Sequence, residues 1–259
     1  MSKAPLRIIA RLDIKAPNLV KGIQFEGLRK IGDPSEFALK YYLQGADEIF
    51  CADIVASLYE RNSLLDVINS TTNNVFVPIT VGGGIRSIKD VTSALNAGAD
   101  KVSINTAAIK KPDLITEVAE KFGSQCLVLS IQAKYKNGSW EAYYDNGRES
   151  SGIDVIEWAR KGQDLGAGEI LLTSVDREGT AKGMDIELIK AVTNVVTIPV
   201  IASGGVGNLN DIGLAIEEGC ADAISAAHVL HYEELTINEI RQYCIEKNIP
   251  VRRLSVDGA

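Results

Sequence analysis

The sequence lacks three features that would each indicate a particular class of protein. Basic residues are not in excess, since 27 lysines and arginines stand against 34 aspartates and glutamates, for a formal net charge of −7. A nucleic-acid-binding protein needs a basic face, so that class is not expected. There is no run of about 18 apolar residues to span a bilayer, and the N-terminus lacks the apolar segment of a signal peptide. We therefore expect a soluble, cytoplasmic protein with no nucleic-acid or membrane partner.

Metal-binding and disulfide patterns are also missing. The four cysteines, Cys51, Cys126, Cys220 and Cys244, are far apart and show no C-x-x-C spacing. We interpret them as thiols that form neither a metal site nor a disulfide. The two histidines, His228 and His231, are three residues apart without a clear carboxylate partner, a pattern more typical of packing or surface positions. No metal and no cofactor are expected.

What the sequence does contain is an internal repeat. The segment GADEI at Gly45–Ile49 returns as GAGEI at Gly166–Ile170, and Pro78 before ITVGGGI has a counterpart in Pro199 before VIASGGV at the same interval. A third pair, GAD and GCAD, differs by one residue in length. A repeat with so long a period indicates a duplicated half-domain rather than a solenoid. We expect one domain, residues 1–259, built of two similar halves.

Short apolar runs alternate with amphipathic segments along the chain, which is typical of parallel strands joined by helices. The predicted strands are Leu6–Asp13, Glu48–Asp53, Val77–Val81, Lys101–Ile104, Cys126–Ile131, Glu169–Thr173, Val200–Ala202 and Ala223–Ala226. The predicted helices are Pro34–Gln44, Ser87–Ala97, Pro112–Phe122, Asp154–Leu165, Asp185–Val195 and Leu209–Glu218. Eight such units, about 250 residues, predict an α/β protein with a (β/α)8 TIM barrel fold.

In that fold, active sites lie at the C-terminal ends of the strands. The polar or glycine residues at or just after predicted strand ends are Asp13, Asp53, Gly82, Asn105, Gln132, Thr173, Asp176, Ser203 and Ser225. Glycine-rich turns follow two strands related by the repeat, Gly82–Gly84 and Gly204–Gly205. Such turns let the backbone approach an anion, and a following helix N-terminus adds free N–H donors. They predict a ligand with two phosphates, although glycine here could serve only to allow tight turns.

The segments RLDIK, ITVGGGIRS, GADKVSINTAA, GAGEILLTSVDREGT and IPVIASGG resemble the cyclase subunit of imidazole glycerol phosphate synthase along nearly the whole chain. The resemblance implies a barrel that pairs with a glutaminase subunit as a heterodimer and receives its ammonia through the barrel. It implies a ribulose-type substrate with a phosphate at each end, converted into imidazole glycerol phosphate and an aminoimidazole carboxamide ribotide, in histidine biosynthesis. The residues that match the family's phosphate-binding positions are Gly82, Gly83, Asn105, Thr106, Gly179, Ser203, Gly204, Gly205, Ser225 and Ala226.

Other family positions follow from the resemblance. The family's ring of four charged residues, an ammonia gate at the N-terminal mouth, matches Arg7, Glu48, Lys101 and Glu169. An alternative is an ordinary salt-bridge cluster that closes the bottom of the barrel. A long loop that folds over substrate in the family matches residues 15–31 with Lys21 and Phe25, although a plain solvated connection would fit the same segment. Asp53 is expected to orient Lys21 or to line the ammonia exit, although a structural carboxylate that accepts from backbone donors would fit the same position.

The catalytic positions depart from the family. Two aspartates act there as general acid and base, and the matching residues are Asp13 and Gln132. A neutral amide cannot exchange protons near neutral pH. Arg11 stands where family members often have a cysteine, and His228 stands where they have a small residue. Asp176 or Glu178 could substitute for the missing acid.

Gln132 therefore favours a divergent relative, one that supplies ammonia for amidination of a surface or acidic sugar together with a sugar amidotransferase. The alternative is a working histidine-pathway cyclase. A phosphosugar isomerase barrel would share the phosphate sites but would not need the four-residue charged ring.

Overall fold

Eight parallel strands close into a barrel in the computed structural model, which describes residues 4–55 and 64–254. The barrel strands are β1 (Arg7–Lys15), β4 (Glu48–Asp53), β5 (Ile79–Gly82), β6 (Lys101–Ile104), β7 (Leu127–Lys136), β10 (Glu169–Ser174), β11 (Val200–Ser203) and β12 (Ala223–Ala226). Each pairs in parallel with its neighbours, and the pairs β1–β12 and β7–β10 complete the circle. The (β/α)8 fold is confirmed, with strand bounds within a few residues of the predicted ones.

Helices connect the strands on the outside of the barrel. The described helices are α1 (Pro34–Leu43), α2 (Leu64–Thr72), α3 (Ile88–Asn96), α4 (Thr106–Lys110), α5 (Asp113–Phe122), α6 (Val155–Asp164), α7 (Ile186–Thr193), α8 (Leu209–Glu217), α9 (His228–His231) and α10 (Ile237–Glu246). A short 3₁₀ turn at Ser124–Cys126 precedes β7. Side chains cap several N-termini; Asp33 accepts from Ser35 N and Glu36 N, and Asn208 and Thr236 form capping boxes. Within the described ranges, no helix combines the length and apolar character needed to cross a membrane.

Two antiparallel hairpins interrupt this pattern, and they occupy equivalent places in the two halves. The first hairpin, β2 (Asn18–Ile23) and β3 (Glu26–Gly32), follows β1, and the second hairpin, β8 (Ser139–Tyr144) and β9 (Glu149–Asp154), follows β7. The sequence KNGSW supplies the β7–β8 turn, with Asn137 at φ 53° and Gly138 at φ 88°. The segment predicted as a substrate loop is thus a β-hairpin. The internal repeat of the two halves therefore includes these two hairpins.

Aspartates of the repeated GAD segments join neighbouring strands at the N-terminal end of the barrel. Asp47 Oδ2 accepts from Ile8 N at 2.8 Å, Asp100 Oδ2 from Ile79 N at 2.8 Å and Asp222 Oδ2 from Val200 N at 3.0 Å. The fourth copy has Gly168, where a side chain would lie 2.1 Å from Ser124 O. The repeat thus preserves a strand-end contact in three of its four copies.

Apolar packing divides into two clusters because successive strand residues face opposite sides. The outer cluster lies between barrel and helices and includes Ile8, Ala10 and Leu12 of β1. The inner cluster fills the barrel with residues such as Ile9, Phe50, Val128, Leu171, Ile201 and Ala223. Alternation on β1 therefore points Arg7, Ile9, Arg11 and Asp13 into the lumen.

The last helix, α10, is anchored to the barrel by a buried arginine. Arg241 donates to Gly45 O at 2.7 Å, to both oxygens of Asp47 at 3.0 Å and to Arg252 O at 2.8 Å. Arg252 also contacts Asp47, at 2.7 Å. Removal of a partner from a buried ion pair leaves charge uncompensated, which destabilises strongly.

We predict that Arg241→Met lowers the free energy of unfolding by about 3 kcal/mol, because four oxygen atoms each lose a donor and Asp47 keeps Arg252 as its one cationic partner. Urea unfolding of the whole chain measures this. The matched control is Gln242→Ala, the next residue of the same helix, whose side chain is exposed and which should cost less than about 0.5 kcal/mol. Equal effects of the two variants would contradict this account of Arg241.

Candidate functional site

The two glycine turns lie at equivalent strand ends, and both need glycine. Gly83 has φ 88°, and a Cβ there would lie 2.1 Å from Asp53 O. Gly205 has φ 97°, and its Cβ would lie 2.2 Å from Gly183 O. A left-handed backbone and this close approach both exclude a side chain. The turns therefore place backbone at the C-terminal mouth, where the first turn is partly exposed and Gly204 and Gly205 are buried.

An open cavity of about 430 Å³ borders the first of these turns. This first pocket is lined by Gly82, Gly83, Gly84, Asn105, Thr106 and Gln132, with Asp53, Asp145 and Asn146 on its walls and the cations Arg86, Lys110 and Lys111 near them. Asp53 Oδ1 accepts from Val55 N at 3.0 Å, which fixes that carboxylate in the wall. The pocket is large enough for a phosphorylated small molecule.

The matching cavity at the second turn is almost filled. This second pocket is lined by Gly179, Ser203, Gly204, Gly205, Ser225 and Ala226, together with Arg11, Glu178 and His228. Its volume is about 10 Å³, room for about one water molecule. The predicted phosphate-binding residues therefore lie together, but the cavity between them is too small for the expected phosphate. Arg11 Nη1 occupies it, 3.3 Å from Ser203 Oγ and 3.3 Å from Thr173 Oγ1.

Four buried charges form a central cluster at the mouth: Arg11, Asp13, Lys21 and Glu178. Arg11 Nε donates to Asp13 Oδ1 at 2.8 Å, Lys21 Nζ donates to Asp13 Oδ2 at 2.9 Å, and Lys21 also donates to Glu178. Two cations and two carboxylates neutralise one another, which is the condition for burying them. Arg11 also lies over the ring of Phe25, 5.3 Å from its centroid.

The cluster fixes the protonation of Asp13. Burial alone would raise the pKa of its carboxyl, but the charges of Arg11 and Lys21 outweigh burial and hold that pKa well below its usual range. Burial likewise opposes the charge of Lys21, and attraction to Asp13 and Glu178 outweighs it, so the pKa of the ammonium is raised. Asp13 is thus a carboxylate and Lys21 an ammonium throughout the neutral range.

Gln132, at the second catalytic position of the resemblance, contacts the second hairpin instead. Its Oε1 accepts from Gly147 N at 2.8 Å. Of the two acids considered as substitutes, Glu178 reaches the central cluster through Lys21. Asp176 is exposed at the rim, where its Oδ2 accepts from Tyr135 N at 2.8 Å.

The first hairpin lies over the mouth and brings Lys21 and Phe25 to the cluster. Gln24 N donates to Glu178 O at 2.8 Å, and Gln24 Nε2 donates to Asp176 O at 3.1 Å. Gly179 packs against the hairpin so closely that a Cβ would lie 2.3 Å from Gly22 O. These contacts hold the first hairpin over the mouth, and Lys21 of this hairpin is held by Asp13 and Glu178.

The four charged residues predicted at the other end of the barrel form a closed ring, which we call the N-terminal ring. Arg7 donates to Glu48 at 2.8 Å and to Glu169, and Lys101 Nζ lies 3.0 Å from Glu48 and 3.1 Å from Glu169. Burial opposes the charge of Arg7, but Glu169 and Glu48 raise the pKa of its guanidinium overall. The ring closes the lumen at its N-terminal end with zero net charge.

The two histidines do not converge on a common point. His231 is buried, with Nδ1 2.6 Å from Tyr41 Oη, and burial lowers its pKa to about 3. His228 borders the second pocket, with Nε2 3.6 Å from Glu234. Among residues 4–55 and 64–254, no three histidine, cysteine, aspartate or glutamate side chains are grouped to hold a metal ion.

The sequence reasoning missed the residues that the second hairpin brings to the first pocket, Asp145 and Asn146. Thr106 Oγ1 lies 3.2 Å from Asp145 Oδ1, and Asn146 Nδ2 donates to Ile54 O at 2.8 Å. The signal available was the DNG segment at 145–147, a strong hairpin-turn sequence directly after a run of aromatic residues.

Two comparisons with known protein sequences bear on the family of this chain. The sequence model of the family described as histidine biosynthesis protein matches residues 7–236. The chain is 61% identical over 207 residues to a protein of Legionella pneumophila named imidazole glycerol phosphate synthase subunit HisF, with 80% of this chain and 98% of that protein covered.

We predict that Asp13→Asn lowers the free energy of unfolding at neutral pH by about 3 kcal/mol, because Glu178 then remains as the single carboxylate of the cluster for the two cations Arg11 and Lys21. The pKa of Asp13 is depressed in the folded state, so its stabilisation is full above the ordinary value of 3.8 and is lost as pH falls towards the depressed pKa. Urea unfolding should therefore give a constant difference from the parent between about pH 7 and pH 5, and a smaller one below about pH 4.

The control is Asp113→Asn, an exposed carboxylate in the first turn of α5, which should cost less than about 1 kcal/mol. A difference between parent and Asp13→Asn that already shrinks between neutral pH and pH 5 would contradict a depressed pKa.

Proposed function

We propose a function from the premise that the chain belongs to the histidine biosynthesis protein family. The chain is the ammonia-accepting synthase subunit of a glutamine amidotransferase pair. Its activity is the cyclase activity of imidazole glycerol phosphate synthase. The substrate is a ribulose-type compound with a phosphate at each end. With ammonia it gives imidazole glycerol phosphate and an aminoimidazole carboxamide ribotide. The comparisons favour this activity over the amidination of a sugar.

The observation that carries the proposal is the position of Asp13. Its carboxylate lies near the end of β1 and contacts Arg11, a residue that lines both pockets, and the central cluster keeps it ionised. An ionised carboxylate beside the substrate accepts a proton, and Lys21, kept protonated 2.9 Å away, is the neighbouring donor. Asp13 thus keeps the place of the family's first aspartate, and Lys21 takes over the proton-donor role of the second.

The phosphates bind unequally in this account. The first pocket takes one phosphate at Gly82–Gly84, with Arg86, Lys110 and Lys111 nearby to balance its charge. The second phosphate has to displace the guanidinium of Arg11 from Ser203 before it reaches Gly204 and Gly205. Displacement leaves Arg11 beside the incoming anion, where its charge favours binding.

Ammonia enters from the opposite end. The N-terminal ring is neutral, so a small neutral molecule meets no net charge there, and movement of Lys101 from its two carboxylates opens the path. Beyond the ring, Ile9, Val128, Leu171 and Ile201 give the lumen an apolar lining. Such a lining favours ammonia over ammonium, because burying an unpaired charge is costly.

A glutaminase subunit docks at this N-terminal face. Leu43 at the end of α1 and Phe76 before β5 lie on that side of the barrel, and 73% and 75% of their surfaces are exposed. Tyr42 packs edge-on against Phe76, with the ring centroids 6.1 Å apart. Exposed apolar side chains around the mouth of the ring suit a protein partner.

One observation favours a second candidate, the transfer of ammonia towards amidination of a sugar with a separate sugar amidotransferase. Gln132 stands where the family has its second proton-transfer aspartate, and loss of a general acid or base typically costs about 10²–10⁴-fold in rate. This candidate keeps the N-terminal ring and the first pocket and gives up the cyclase step.

We predict that the purified chain turns over the two-phosphate ribulosyl substrate with saturating ammonium salt, and that Asp13→Asn lowers this rate by about 10²-fold or more. Product formation followed by chromatography measures it. Binding of the substrate without turnover would reject the cyclase activity and favour the second candidate, whereas no binding would reject both.

We predict that Lys101→Met lowers glutamine-driven turnover with the glutaminase subunit by at least about tenfold relative to ammonium-driven turnover. Without Lys101 the ring carries net negative charge and holds ammonium instead of passing ammonia. Lys89→Met, an exposed lysine at the start of α3 that lines neither pocket, is the control. A parallel change in both rates would contradict a role for the ring in ammonia transfer.

A further inference from the structure

The turn of the second hairpin, residues 145–147, forms one wall of the first pocket in an unusual backbone conformation. Asp145, Asn146 and Gly147 have φ angles of 47°, 62° and 75°. Glycine adopts this left-handed conformation freely and aspartate and asparagine tolerate it, so the sequence favours the turn, and contacts with the barrel fix where the turn lies. Gly147 itself packs against Val175, since a Cβ there would lie 3.0 Å from that side chain.

Gln132 supplies one of the contacts that hold this turn. Its Oε1 accepts from Gly147 N at 2.8 Å, and its Nε2 lies 3.5 Å from Asn146 Oδ1. Asn146 Nδ2 then donates to Ile54 O at 2.8 Å, which links the turn to the end of β4. Only a group that both accepts and donates satisfies both sides, and an ionised carboxylate cannot donate.

The two halves of the barrel use the same arrangement. At the end of β1, Asp13 contacts Lys21 of the first hairpin, and at the end of β7, Gln132 contacts the turn of the second hairpin. Each strand-end side chain thus fixes the hairpin that follows it. In the first half the fixed group is an ammonium, and in the second half it is a turn that carries a carboxylate.

That carboxylate belongs to Asp145 and borders the pocket. Its Oδ1 lies 3.2 Å from Thr106 Oγ1, and Thr106 Oγ1 also accepts from Asp145 N at 3.1 Å. Its Oδ2 is 3.9 Å from Lys110 Nζ, and 22% of the side chain is exposed. A carboxylate repels phosphate but accepts hydrogen bonds from hydroxyl groups, so it suits the polyol part of a phosphorylated ligand.

We propose that Asp145 is a specificity-determining residue that accepts a hydrogen bond from a hydroxyl of the phosphorylated ligand, and that Gln132 is the positioning residue that holds Asp145 in place. The inference rests on the proposed function, since it assumes a phosphosugar-type ligand in the first pocket. It gives Gln132 a role that does not involve proton transfer.

The test compares binding of inorganic phosphate and ribose 5-phosphate to the whole chain by calorimetry. The parent should prefer ribose 5-phosphate. Asp145→Gly, which relaxes the left-handed backbone while removing the carboxylate, should reduce this preference by about tenfold, equal to about 1.4 kcal/mol. Gln132→Ala should reduce it to a similar extent and should speed hydrogen exchange of the amides at 145–148. Gln125→Ala, an exposed glutamine outside the barrel, is the control and should change neither.

Gln132→Glu separates positioning from a general packing effect. A protonated carboxyl donates and accepts like the amide, whereas the ionised form repels Asn146 Oδ1. The preference of this variant for ribose 5-phosphate should therefore recover as the pH falls through the pKa of the new carboxyl, while that of the parent stays constant.

Retention of the preference in Asp145→Gly or Gln132→Ala, unchanged exchange at 145–148 in Gln132→Ala, or a pH-independent Gln132→Glu would each overturn the inference. A parent that binds phosphate without preferring ribose 5-phosphate would overturn only this inference. A parent that binds neither compound would overturn the proposed function as well.

Discussion

Charge that points into a closed barrel has to be neutralised inside it, and this constraint governs both ends of the molecule. On β1, Arg7 and Arg11 face the lumen on either side of Ile9 because side chains alternate along a strand. Arg7 is paired within the N-terminal ring, and Arg11 within the central cluster. Each group holds two cations and two carboxylates, so the lumen between them can stay apolar.

The two halves have diverged within a common frame. Both keep a glycine turn, a strand-end side chain and a hairpin that follows it, yet the first pocket is open and the second is filled by Arg11. The strand-end residues have diverged as well, to a carboxylate in the first half and an amide in the second. The mouth therefore has buried charges on one side and a positioned hairpin turn on the other.

Much of this arrangement follows from local sequence. The short apolar runs predict strand bounds such as Glu48–Asp53 and Ala223–Ala226, which agree with the observed bounds. They do so because each run is short, buried and bounded by glycine or aspartate. The turn glycines and the four residues of the N-terminal ring could be placed because the repeat and the family pattern fix their positions on strands. These are properties of single elements or of their order.

What the sequence could not supply depends on contacts between distant elements. The filling of the second pocket by Arg11 needs Thr173 and Ser203 from strands across the barrel. The choice of Glu178 over Asp176 depends on which of two residues in one loop turns inwards, and Gln132 meets Asn146 only because the second hairpin folds back over the pocket. Such side-chain geometry has no periodic signal in the chain.

The central claim is that one ligand with two phosphates spans the mouth and opens the second pocket. Titration of the chain with the two-phosphate ribulosyl substrate in the absence of ammonia, followed by phosphorus nuclear magnetic resonance, tests it most directly. The account predicts that both phosphate resonances shift together with a single affinity. A shift of one resonance while the other stays at its free position would contradict it, since the second pocket would then remain closed by Arg11.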